Sequence, residues 1–86
     1  MRIIKINAMW CPGCIVSKSI WNNIEKKYPD HEYISLDYDL DDDVVSSYNV
    51  GDILPVVIIE SDGKEIKRII GEKTEKEILK EVSDIL

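Results

Sequence analysis

The stretch NAMWCPGCIVSKS, residues Asn7 to Ser19, holds both cysteines of the chain, three positions apart, behind Trp10 and around Pro12-Gly13. Ahead of it, Arg2 to Ile6 is short and rich in Ile, which suits a buried strand that ends near Asn7. Behind it, Val16, Ile20 and Ile24, with Trp21 and Tyr28 one step round, carry the spacing of a helix that packs one face on a sheet and stops at Pro29-Asp30. The cysteines therefore stand at a strand-to-helix junction. Two cysteines so close cannot staple a fold, because the loop they would close removes little chain entropy. Their value is chemical.

At the mouth of a helix, unpaired N–H groups and the positive dipole end favour a thiolate over a thiol, which makes Cys11 the expected nucleophile. Cys14, one turn later, lies within bridging reach and should be the more buried of the two, so its expected role is to resolve. Pro12 fits the first turn, where a missing N–H costs nothing, and Gly13 adds little bulk to the approach of a substrate. Trp10 would offer a flat apolar platform. A zinc site lacks ligands, since the remaining candidate, His31, falls in a polar turn far along the chain and reads as a solvated loop residue.

Working outward, EYISLDYD (residues 32–39) reads as a second strand, and strand, helix and strand of this size make a right-handed parallel crossover. The acids Asp39, Asp41, Asp42 and Asp43 precede Val44, Val45 and Tyr48, where carboxylates suit a short helix through capping and the dipole. Two apolar runs, Val56 to Ile59 and Ile66 to Ile70, separated by Ser61-Asp62-Gly63-Lys64, predict an antiparallel hairpin closed by Gly71. Thr74 with Glu77 forms a capping box ahead of Ile78, Leu79, Val82, Ile85 and Leu86, an amphipathic last helix. The order is βαβαββα, a central four-stranded mixed sheet flanked by helices.

Eighty-six residues suffice for a single domain, residues 1–86, and the 44% apolar fraction, with many Ile and Val and no Phe, suits a β-branched sheet core. Seventeen acids against eleven Lys and Arg give a net charge of −6, which argues against nucleic acid and anionic membranes as partners. The opening MRIIKINAMW is too broken by Lys5 and Asn7 for a signal core or membrane span, so a cytoplasmic protein is expected.

Together these residues resemble the thioredoxin superfamily over nearly the whole chain. Trp10, Cys11 and Cys14 are similar to its Trp-Cys-x-x-Cys site, Pro55 to its cis-proline facing the cysteines, and Gly71 to the glycine bordering its substrate groove. The resemblance implies a minimal thioredoxin fold and dithiol-disulfide exchange on protein disulfides, with Cys11–Cys14 as the redox-active disulfide and no bound cofactor. A cis bond would expose the backbone of Leu54 to an extended substrate segment, in a groove formed with Trp10, Ile53 and Pro55. A flavin-containing thioredoxin reductase would then recharge the pair.

This chain also departs from the family pattern. The order begins one strand and one helix later than in thioredoxins, a size closer to glutaredoxins, and the dipeptide is Pro-Gly rather than Gly-Pro. The approach VGDILP appears one residue longer, and Asp52 within it reads as a solvated turn residue. Lys5 stands where thioredoxins carry a buried aspartate, with Ser35 in place of its lysine partner. Either Lys5 snorkels its ammonium to the sheet edge, the placement we favour from sequence, or it lies near the sulfurs and modulates their pKa. Two other functions compete. A glutathione-driven, glutaredoxin-like enzyme is suggested by Pro12, although Ala8 and Gly71-Glu72-Lys73-Thr74 lack most of the glutathione-binding pattern. The other is a non-catalytic binding module with the disulfide as a switch.

Overall fold

The computed structural model describes residues 1–86. Its elements run β1 (Arg2–Asn7), α1 (Pro12–Lys27), β2 (Glu32–Asp37), α2 (Asp42–Ser47), β3 (Val56–Ser61), β4 (Lys64–Ile70) and α3 (Glu75–Val82). The four strands form one sheet in the order β2-β1-β3-β4. β1 pairs parallel with β2, Arg2 opposite Glu32, and antiparallel with β3, Ile3 opposite Ile59. β3 and β4 are the expected hairpin, and its two-residue turn is made by Asp62 and Gly63, both at positive φ (54° and 79°) as a primed turn requires.

Alternation along β1 divides the core in two. Ile3 packs with Trp21 and Ile24 of α1 and with Ile78 and Val82 of α3 on one face. Ile4 and Ile6 pack with Val45 of α2 on the other. Both faces of the central strand are thus covered, which is why its apolar run is continuous apart from Lys5. The capping box of α3 is present, with the Thr74 side chain accepting from the Glu77 N–H and the Glu77 carboxylate accepting from the Thr74 N–H. No helix is long and apolar enough to cross a membrane.

Two local expectations are corrected. The buried face of α1 is Cys14, Ser17, Trp21 and Ile24, while Val16 is half exposed. Counting back from Trp21 by helical turns reaches Ser17 and Cys14, so a polar residue and a thiol occupy positions that apolarity alone assigned to Val16. At α2 no carboxylate caps the helix. Asp37 Oδ1 instead accepts from the N–H groups of Asp39 and Leu40, both at 2.9 Å, and Asp41 Oδ2 accepts from the Asp37 N–H at 2.8 Å, so these acids build the β2–α2 turn. Asp42 and Asp43 in the first turn still complement the helix dipole.

Candidate functional site

β1 delivers the chain to the sheet end, and residues 8–11 turn it into α1. Cys11 is the N-cap of α1, with extended backbone (φ −99°, ψ 108°), and Pro12 enters the first turn. The Cys11 N–H donates to the Ala8 carbonyl and the Cys14 N–H to the Cys11 carbonyl, each at 3.2 Å, which folds the two sulfur-bearing residues together. Both are free thiols. They form a small buried cluster with Ala8, against which Tyr38 and Leu54 pack.

The expected contrast in burial is absent, since Cys11 is 5% exposed and Cys14 3%. Their surroundings differ instead. Cys14 lies between α1 and the sheet, and desolvation pushes its thiol up to about 11; hydrogen bonding to Cys11 adds to the rise and the Ala8 backbone opposes it. Burial therefore favours the protonated form of the Cys14 thiol.

The other sequence-marked residues gather around this pair. Trp10 is 58% exposed and oriented by two neighbours, with its Nε1–H donating to Asp39 Oδ2 at 2.8 Å and its ring edge-on to Tyr38 at 6.1 Å. The Leu54–Pro55 peptide bond is cis. The Pro55 carbonyl accepts from the Gly71 N–H at 2.8 Å, which ties the segment before β3 to the end of β4. Gly71 has φ +88°, the left-handed region that favours glycine, and lies against Ile53, whose Cγ2 would make only ordinary contact, 3.6 Å, with a Cβ there. Ile53 is 62% exposed and, with Trp10, gives the site an apolar rim. At Gly13 a Cβ would meet Glu72 Oε2 at 3.1 Å, so the Glu72 side chain lies over the active-site turn.

Lys5 is corrected. It does not snorkel out, being only 8% exposed, and its Nζ stands 5.9 Å from the Tyr33 ring centroid. It lines a cavity of about 430 Å³ behind the cysteines, together with Cys14, Ser17 and Ser35. His31 is half-buried at the far end of the sheet, within 3.3 Å of the Met1 amino group, and takes no part in the site. No group of three or more His, Cys, Asp or Glu is placed to hold a metal ion.

Asp39, Tyr38 and Glu72 were not singled out at the site from sequence. Asp39 sat within an acidic run that read as helix capping, and Glu72 reaches Gly13 only because β4 ends beside the start of α1. The only early signal for Glu72 was its place next to Gly71, and Asp39 had none.

A family model described as Thioredoxin matches residues 1–84. The chain belongs to the thioredoxin family. Its α/β architecture of a four-stranded mixed sheet and three helices is a thioredoxin fold. Among relatives, it is 32% identical to Thioredoxin H2 of Arabidopsis thaliana over 99% of this chain and 62% of that protein. To the Thioredoxin of Mycobacterium bovis it is 30% identical, over 92% of this chain and 68% of that one. Among solved structures, mitochondrial thioredoxin 3 of Saccharomyces cerevisiae in its oxidized form superposes with a TM-score of 0.86 at 25% identity, covering 98% of this chain and 77% of that one. Thioredoxin NaTrxh of Nicotiana alata gives 0.87 at 26% identity, over 96% and 70%. The chain spans between half and two thirds of the plant H-type thioredoxins it matches, 62% for the Arabidopsis H2 protein and 50% for Thioredoxin H5 of Oryza sativa.

Proposed function

We propose that this thioredoxin-family chain reduces disulfides in protein substrates by dithiol-disulfide exchange. The observation that carries the reading is the pair itself: Cys11 at the N-cap of α1, Cys14 one turn on, both free thiols in one cluster beneath the rim of Trp10 and Ile53. Cys11 attacks one sulfur of the substrate disulfide, forming a mixed disulfide and expelling the other sulfur as a thiolate that takes a proton from solvent. Cys14 then loses its proton and attacks the Cys11 sulfur. The Cys11–Cys14 disulfide forms, the mixed disulfide breaks, and the substrate leaves with both sulfurs reduced. Two electrons have passed from the dithiol to the substrate, and no bound cofactor takes part.

Trp10, Pro12, Gly13, Ile53, Leu54, Pro55 and Gly71 form the substrate-binding surface, on which an extended segment lies beside the sulfurs. A flavoprotein of the thioredoxin-reductase type returns the electrons, in the cytoplasm. The test is disulfide reduction run in parallel with NADPH and a thioredoxin reductase, and with glutathione and its reductase. Turnover in the first arm, lost in Cys11→Ser and Cys14→Ser, is the expected result. Cys14→Ser should also trap substrate on Cys11. Turnover in the glutathione arm alone replaces the reductase assignment, and none in either arm leaves a binding module.

A further inference from the structure

Lys5 is the one charged side chain in the core. Taking an ammonium out of water is costly unless an opposite charge or hydrogen-bond acceptor meets it, yet no ion pair or hydrogen bond involves the Lys5 side chain. Its Nζ is not among the sealed, unpartnered polar atoms, which are Trp21 Nε1 and Glu81 Oε2, so it keeps contact with the cavity that Lys5 lines. Cys14 lines the same cavity, and Cys11 does not. A buried ammonium whose one near neighbour is the face of the Tyr33 ring, with no counter-charge, and the Cys14 thiol thus line one space large enough for water.

We propose that Lys5 is a positioning residue for the second half of the exchange: its ammonium stabilises the Cys14 thiolate across the water of this cavity, and it leaves the attack by Cys11 untouched. The inference rests on the exchange reading above. At rest the Cys14 thiol is pushed up to about 11, first by burial and then by its interactions with Cys11. Once Cys11 is tied in the mixed disulfide its hydrogen bond and charge no longer act on Cys14. Burial remains, only partly opposed by the Ala8 backbone, and a nearby opposite charge offsets it further.

The other groups facing the cavity do not supply that charge. From β2 and the following turn come Asp37 and Asp41, which disfavour a thiolate and are engaged by backbone N–H groups. Tyr33 presents its ring to Lys5, and its hydroxyl donates to the Tyr28 carbonyl. From β3 the residue opposite Lys5 is Val57. From α1 comes Lys18, which is exposed. In the step itself the Cys14 proton passes to cavity water, the Cys11–Cys14 bond forms as the bond from Cys11 to the substrate sulfur breaks, and that sulfur departs with the electron pair and takes a proton from solvent.

A small aromatic disulfide that releases one coloured thiolate at each half-reaction separates the steps in a single turnover of the reduced protein. With Lys5→Met, the first release should be unchanged, and the second should slow about tenfold near neutral pH with its pH profile displaced upward by about one unit. Lys5→Arg, which keeps the charge, should restore it, and Lys5→Gln, a second neutral variant that guards against poor packing of Lys5→Met, should slow the second release in the same way. A second release with the wild-type rate and pH profile in both neutral variants would overturn the proposal, as would equal slowing of both releases. A wild-type protein that releases neither thiolate would instead overturn the exchange reading beneath it.

Discussion

Cys11 and Cys14 are the same residue type three positions apart, and the fold separates them through what lies behind each. Because burial raises the Cys14 thiol from 9.0 to about 11, the folded state holds its proton over a range in which the unfolded chain has lost it. The stability this contributes is fully present below about pH 9 and is lost as pH rises toward about 11, on the order of 2 kcal/mol in all. Urea unfolding of the reduced protein across that range should show wild type losing more stability than Cys14→Ala. Parallel curves would mean that the thiol is not desolvated. Much of the site was legible at this scale, because spacing alone sets Cys11 and Cys14 on one helical turn. The location of the Lys5 ammonium was not. Strand alternation puts Lys5 on the face of Ile3, but whether a four-carbon stem reaches water depends on how α1 packs there, and Ser17 and Trp21 of α1 line the same cavity as Lys5. The acid that anchors Trp10 was hidden for a similar reason, since Asp39 lies 29 positions away and meets the indole only after β1 and β2 align.

Elements were legible where their signals are local. The capping box and the Asp62-Gly63 turn are each decided within four residues, and both form as read. The phase of α1 was misjudged because Ser17 and Cys14 carry no apolar signal, although they occupy the buried stripe. Nothing in the sequence indicated how α2 is held to the sheet. Arg68 of β4 does this: its guanidinium donates to both carboxylate oxygens of Glu65, at 2.9 and 2.7 Å, and to the Tyr48 carbonyl just past α2 at 2.7 Å. That bond steadies the helix end from which the chain runs on to Ile53 and Pro55. The ion pair with Glu65 is partly exposed and worth little by itself, whereas the bond to a partly buried carbonyl is not replaced by an apolar side chain. Arg68→Met should therefore destabilise the protein by roughly 1–2 kcal/mol in urea unfolding. Glu65→Gln should cost less. Equal effects would assign the stabilisation to the ion pair.

For the molecule as a whole, element order was readable because each change of hydrophobic period is bounded by Pro, Gly or acidic residues. The division of the core was not, since it depends on which helix covers which face. One face carries the large cluster under α1 and α3, and the other carries a smaller one that α2 covers with Val45 as its only buried residue. Ile58→Ala, at a position with no exposure in the smaller cluster, should cost about 2–5 kcal/mol. Against a typical total of about 5–15 kcal/mol that is a large share for so short a chain, and the urea midpoint should fall accordingly. A loss below about 1 kcal/mol would show that α2 collapses into the space left behind.

The central place of β1 has a mechanical consequence. Its amides between Ile3 and Ile6 are sandwiched by β2 and β3, so their exchange with deuterium should require opening of the whole sheet, and Cys11 hangs from the end of that strand. The opposite lip, residues 50–55, has no regular secondary structure, and its tie to the rest runs through the Pro55 carbonyl and the apolar packing of Leu54. Under the proposed function, an incoming chain would meet, on one side, a sulfur hung from a strand paired along both edges and, on the other, a lip without regular pairing, so that adjustment to differently shaped targets would fall to the lip.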